Sequence, residues 1–136
     1  MTLKYSESVC NAQLDAIETV VGASPVLVIR TGAAPANCAA ADTGDVLATV
    51  QLPADWMAAA SSASKAKSGT WEDTAADDTG TAGHWRIYEA GSPQVAHLQG
   101  DITVTGGGGD MTVNNTSFAA GQDFTVTSFT ITNNNL

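Results

Sequence analysis

The sequence predicts a mainly β domain, a β-sandwich or jelly-roll-like body with one N-terminal α-helix. Three observations carry that expectation. A single apolar stripe of helical period lies near the start. After Pro25, short apolar or alternating runs are separated by clusters of Gly, Asn, Asp and Pro. The composition is rich in small and hydroxylated residues, with 43% hydrophobic residues, many of them alanine, and only 14% charged ones. The 136 residues amount to one domain spanning 1–136, with the helix at about 6–22 and the β body at about 26–132.

The helix comes first. Cys10, Leu14, Ile17 and Val21 recur at i, i+4, i+7 and i+11. Ser6 or Ser8 supplies an N-cap, and Glu7 complements the helix dipole. Gly22 fits a left-handed stop, and Pro25 prevents continuation. So short a helix needs a sheet or a partner to lie on. Glu7, Asp15 and Glu18 are expected to face solvent while the apolar stripe faces protein.

Strands follow in order. Val26-Leu27-Val28-Ile29-Arg30 is bounded by Pro25 and Gly32, and the next run puts Val46, Ala48, Val50 and Leu52 on one face before Pro53 ends it. Further strands are expected at His84-Trp85-Arg86-Ile87-Tyr88, at 95–104 and at Met111-Thr112-Val113. The last run, 124–132, holds Phe124 and Val126 on even positions but Phe129 and Ile131 on odd ones. A strict period of two cannot put all four on one face, so a bulge or a change of sheet is expected near Thr127-Ser128. Two stretches, 58–68 and 72–83, look least tied down.

Charge excludes several roles. Five cations against 14 acids give a formal charge of −9. Such a surface does not neutralise phosphates, which argues against nucleic acid and against an anionic membrane. No apolar run approaches the roughly 20 residues of a membrane span, and the first residues, Met1-Thr2-Leu3-Lys4-Tyr5, contain no signal-like apolar core. Cys10 and Cys38 therefore read as reduced, buried thiols.

Candidate chemistry is sparse. Glycines 106–109 precede Asp110 and a strand, without the Lys-Ser/Thr and helix of a phosphate loop, so they read as a hairpin connection. One imperfect copy of a calcium-binding nonapeptide is not a site. Asp73, Asp77 and Asp78 lack EF-hand spacing and read as a solvated loop. His84 and His97 lie in strands, far in sequence from either cysteine and without metal-ligand spacing, so each is expected to line a sheet face. The chain is accordingly read as a non-enzyme, with no catalytic residue, cofactor or metal. Trp56, Trp71 and Trp85 are read as core or subunit contacts, the alternative being a sugar-stacking platform. With Leu14, Ile17 and Val21 they complete the set of packing or partner-contact residues.

Several segments together carry a resemblance. They are Tyr5-Ser6, Asn11-Ala12-Gln13-Leu14-Asp15-Ala16-Ile17-Glu18, Ile29-Arg30-Thr31-Gly32, Pro35-Ala36-Asn37-Cys38, Leu52-Pro53-Ala54-Asp55-Trp56 and Lys67-Ser68-Gly69-Thr70-Trp71. Thr81-Ala82-Gly83-His84-Trp85-Arg86-Ile87, Gln99-Gly100, Gly109-Asp110-Met111 and Gly121-Gln122 complete them. The pattern resembles small structural proteins of tailed double-stranded DNA bacteriophages and prophages. It implies a virion component made in the bacterial host cytoplasm. The expected role is a capsid decoration or cement protein on the outer head, bound to major capsid protein and assembled as a homo-oligomer. The alternatives are a tail, baseplate or fibre component, or a host-surface carbohydrate-binding module.

Overall fold

The computed structural model describes residues 3–91 and 94–136. Met1 and Thr2, part of the terminus read above as lacking a signal, lie outside the described residues, as do Ser92 and Pro93. The helix α1 spans Glu7–Val21. Ser6 is its N-cap and accepts from the Val9 N–H, while Gly22, at φ 86°, closes it by donating to Glu18 O. Cys10, Leu14 and Val21 are buried, and Ile17 packs half-buried against the core.

Among the described residues nine strands follow: β1 (Val26–Thr31), β2 (Val46–Gln51), β3 (Ser64–Ala66), β4 (Glu72–Asp73), β5 (Gly80–Tyr88), β6 (Ala96–Val104), β7 (Met111–Val113), β8 (Ser117–Phe118) and β9 (Phe124–Thr132). They form one sheet in the order β2-β1-β5-β6-β7-β9-β3, with β4 on β9 and β8 on β5. The protein is thus mainly β with one N-terminal helix. Its sheet is mixed, because β6 and β7 run parallel while the other pairs are antiparallel.

The sheet curls until its β2 end meets the β4 segment. Asp77 N–H donates to Leu47 O at 2.8 Å, Thr49 N–H to Asp73 at 3.3 Å, and the Thr49 hydroxyl to Asp77 at 3.0 Å. The stretch 72–83, expected to be loosely held, is instead the cover of the β2 edge. An exposed edge carries unpaired backbone groups that invite aggregation; here the Asp77 N–H meets the Leu47 carbonyl and the Asp73 carboxylate meets the Thr49 N–H.

Two bulges keep the curled strands facing inward. Thr112 pairs with Ser128 but Val113 pairs with Val126, leaving Thr127 as the extra residue. Phe124, Val126 and Phe129 are all buried as a result, and Ile131 is half-buried. The expected break in register therefore lies at Thr127. Its hydroxyl bonds those of Thr105 and Thr112, both at 2.8 Å. In β2 the step from Ile29–Ala48 to Arg30–Val46 leaves Leu47 unpaired, so Leu47 and Ala48 both turn into the core.

The glycine run is not a hairpin connection, which corrects the sequence-based expectation. It joins two parallel strands, with Ile102, Thr103 and Val104 alongside Met111, Thr112 and Val113. Parallel neighbours ordinarily need a crossover of a dozen or more residues. Here the chain turns where Gly107 N–H donates to Val104 O, then folds back over Thr103. A Cβ on Gly107 or Gly109 would approach Thr103 side-chain atoms to 2.7 and 2.9 Å. Only glycine permits so flat a return.

The core lies between the curled sheet and α1, around Leu27, Ile29, Leu47, Ile87, Met111 and Phe129. We expect Phe129→Ala, which empties a position turned inward by the bulge, to cost about 3–5 kcal/mol, as for other losses of a buried aromatic. Thr127→Ala, which removes only hydroxyl bonds, should cost about 1 kcal/mol. Urea titration separates the two. Equal midpoints for both variants would refute the role given to the bulge.

Candidate interaction surface

The segment 58–66 is fixed by the helix, contrary to its expected looseness. Lys65 in β3 is 1% exposed. Its ammonium donates to Asp15 at 2.7 Å and to Ala58 O at 2.9 Å, and lies 3.0 Å from Glu18. Three acceptors meet the three protons of the group. Asp15 also accepts the Ala60 N–H, Asn11 the Ala63 N–H and Glu7 the Ser62 N–H. Glu7, Asn11 and Asp15 thus form a second helical stripe that binds backbone, with Glu18 on Lys65; Glu7 is exposed as expected from sequence, whereas Asp15 and Glu18 are only partly so. Ser62 and Ala63 occupy φ 51° and 55° at a tight turn in which Ser61 and Ser64 exchange both hydrogen bonds. Positive φ at two successive non-glycine residues is unfavourable, and Glu7 and Asn11 hold the N–H groups of those two residues.

The opposite face of the sheet carries a second polar cluster. Arg86 is 1% exposed and donates to Asn37 O, Cys38 O, Ala40 O and Asp42. Arg30 reaches Gly44 O and Asp42, Gln99 reaches Pro35 O, His84 Nδ1 lies 2.9 Å from Gly32 O, and Tyr88 donates to Asp42. An irregular loop cannot satisfy its own carbonyls, so donors on β1, β5 and β6 do so for residues 32–44.

These contacts shift ionisations. Asp15 is lowered by its bond to Lys65, then by that from Ala60, against the opposing effect of burial. For Asp42, burial pushes upward but the bonds from Tyr88 and Arg86 and the charges of Arg30 and Arg86 prevail, so its pKa falls. For Lys65, burial pushes downward but Asp15 and Glu18 outweigh it, so its pKa rises. Tyr88 is raised by burial and by Asp42.

The residues singled out from sequence lie as follows. Trp56 and Trp71 are fully buried and Trp85 is 3% exposed. Trp56, Trp71, Phe129 and Trp85 form a run of neighbouring rings with centroids 6.1, 5.4 and 5.1 Å apart. Their indole N–H groups donate to Gly22 O, Ser68 O and Asp101 O. Trp56 and Trp71 present no open face, whereas Trp85 borders a surface cleft. Leu14 and Val21 are buried beneath α1, and Ile17 sits at its edge. His84 is buried, His97 is half-buried 3.3 Å from Glu89, and both cysteines are free, with Cys10 buried and Cys38 half-buried. Among the described residues no cluster of three His, Cys, Asp or Glu suits a metal ion, and no helix is long and apolar enough to cross a membrane.

Part of what remains open is apolar. Val9 and Val20 on the outer side of α1 are 42% and 66% exposed. With Gln13 and Ala16 they follow the spacing i, i+4, i+7 and i+11, a pattern visible in the sequence but overlooked beside the buried stripe. A groove of about 280 Å³ runs between Ala16, Ile17 and Val20 on the helix and Leu98 on β6. Ile17 and Leu98 also line a second cleft, of about 310 Å³, that enters the sheet. Comparison with family models, with curated proteins and with solved structures gives no match.

Two outcomes are expected. Lys65→Met keeps the packed stem and loses the charge, whereas Lys65→Ala loses both, so melting temperatures should fall in the order wild type, Met, Ala. The alanine variant should cost on the order of 2 kcal/mol from lost packing and an orphaned carbonyl. Stability should also fall at both extremes of pH. Asp15 and Asp42 are lowered, so their contribution is complete above the ordinary carboxylate value near pH 4 and is lost as pH falls through their folded values. Lys65 and Tyr88 are raised, so theirs is complete below about pH 10 and lost as pH climbs further. Melting curves against pH check both limbs. Asp42→Asn should shallow the acid limb and Lys65→Met the alkaline one.

Proposed function

We propose that this chain is a structural protein of a tailed double-stranded DNA bacteriophage virion, a decoration or cement protein on the outer capsid surface, built on a sandwich or jelly-roll-like β-domain. The observation that carries this reading is the open apolar groove between Ala16, Ile17 and Val20 on α1 and Leu98 on β6, which shares Ile17 and Leu98 with the neighbouring cleft. It is the kind of patch that marks contact with another protein. The polar clusters, by contrast, are occupied in holding loops. Charge supports the outer position. Of the five cations, Arg30, Lys65, Lys67 and Arg86 make internal bonds, so the −9 chain has little positive charge to present to packaged DNA. The sequence resemblance points to the same class of protein.

The test is the number of copies in purified virions. Abundance close to that of the major capsid protein, recovered with heads after tails are removed, is the expected result. A small fixed number recovered with tails would assign it to the tail, and absence from virions would overturn the reading altogether.

A further inference from the structure

The sheet is interrupted. Among the described residues the only strand between β6 and β9 is β7, which is three residues long and uses Ile102–Val104 of β6 and residues 126–129 of β9. Both outer strands run on past it, β6 from Ala96 and β9 to Thr132. Among the described residues no strand lies between their extensions, and the 310 Å³ cleft lies there, lined by Ile17, Trp85, Leu98, Phe129 and Ile131 with Gln99, Asp110, Thr130 and Thr132.

Backbone directions follow from the neighbouring bonds. Phe129 O accepts from Lys67, and Asn133 N–H donates to Ala63 O, so residues 129, 131 and 133 turn toward the β3 side. By alternation the N–H and C=O groups of Thr130 and Thr132 face the gap. On β6, Thr105 N–H donates to Val113 O on the β7 side, so Thr103, Asp101 and Gln99 point the same way. Neighbouring strands stand about 4.8 Å apart, so two strands separated by one slot stand roughly 9.6 Å apart. Where β7 lies between them, the two outer strands are one slot apart.

Side chains already stand in for the missing strand at its inner end. Asp110 accepts the Asp101 N–H at 3.2 Å, as a strand carbonyl would. Trp85 donates to Asp101 O at 2.9 Å, as a strand N–H would. It does so across Gly100, where a Cβ would come within 2.8 Å of the indole. Beyond Asp101 the substitution stops. The backbone of Gln99, Thr130 and Thr132 has no strand partner on this side.

We infer that this gap is an acceptor slot for an extended segment of a partner protein, which completes the sheet between β6 and β9. Main-chain hydrogen bonds supply affinity in such strand addition, and alternate side chains supply specificity. One face of the segment meets Ile17, Trp85, Leu98 and Ile131, so alternate residues are apolar. Asp110 lines the cleft and Asp101 adjoins it, so a Lys or Arg stands at that end. A second copy of this chain fits poorly. It carries the same −9 charge, and its cations are internal apart from Lys4. The inference concerns the chain itself, so it can fail or hold whether or not the protein is found in virions.

Amide hydrogen exchange by NMR tests it, using a blocked hexapeptide of alternating valine and threonine with a lysine at each end. In dilute free protein the amides of Gln99, Thr130 and Thr132 should exchange rapidly. The peptide should slow them at least tenfold, whereas the same peptide with proline in place of valine, equal in charge, should not. Asp110→Asn keeps an acceptor for Asp101 and removes the charge, so it should weaken binding several-fold with an unchanged melting temperature. Slow exchange of the three amides in the free monomer would overturn the inference. So would equal protection by the proline peptide, or no protection by either peptide. Protection that rises with protein concentration alone would make a second copy the occupant and overturn the choice of partner.

Discussion

The Lys65 ammonium is the contact on which the arrangement of helix and sheet depends. It leaves β3 and ends between two carboxylates of α1, with the Ala58 carbonyl as its third acceptor. Buried charge is tolerable only when paired and fully hydrogen-bonded, and this group meets both conditions. Through it α1 is bound to β3, β3 to β9, and β9 through Phe129 to Trp71 and Trp85. One turn beyond Glu18, at the C-cap, Trp56 holds the Gly22 carbonyl. The aromatic row and the ion cluster therefore fix α1 at separate points, and its apolar stripe need not do so alone.

The same use of cations recurs on the other face. Arg86 and Arg30 supply donors to the carbonyls of the loop after β1, with Asp42 bridging them. Lys67 reaches Gly69 O and lies 5.7 Å from the Trp71 ring centre. A chain with few basic residues thus uses most of them where loops lack partners of their own. The outer surface is left acidic as a consequence. Solubility and repulsion from phosphate follow from what the interior requires.

Local signals in the sequence were sufficient for much of this. The helix and its caps, most strands and the bulge at Thr127 each depend on residues within about ten positions, so periodicity finds them. The two stretches that looked loose are held by partners far along the chain. Lys65 meets residues 50 and 47 positions away, and Asp73 covers an edge 24 positions away. Polarity without period is then ambiguous, because residues that satisfy a distant backbone look the same as residues that face water. The glycine run misled for a different reason. Hairpins are the usual link between adjacent short strands, and nothing local distinguishes a return that lies flat on Thr103. The outer helical stripe of Val9, Ala16 and Val20 was readable but stood beside a stronger one.

That flat return also explains why the sheet is incomplete. Residues 105–110 are just enough to double back over Thr103 and re-enter beside Ile102. A β7 beginning earlier would have to start opposite Gln99, and the connection would then need to run three residues further back along β6. The short glycine link therefore limits β7 to three residues, and the remaining length of β6 and β9 is left facing a gap. Closing that gap from within would take a longer connection. Asp110 and Trp85 instead satisfy only Asp101, the residue nearest the end of β7, and the apolar walls beyond it remain accessible. The tightness of one loop and the openness of the cleft are two consequences of the same parallel pairing.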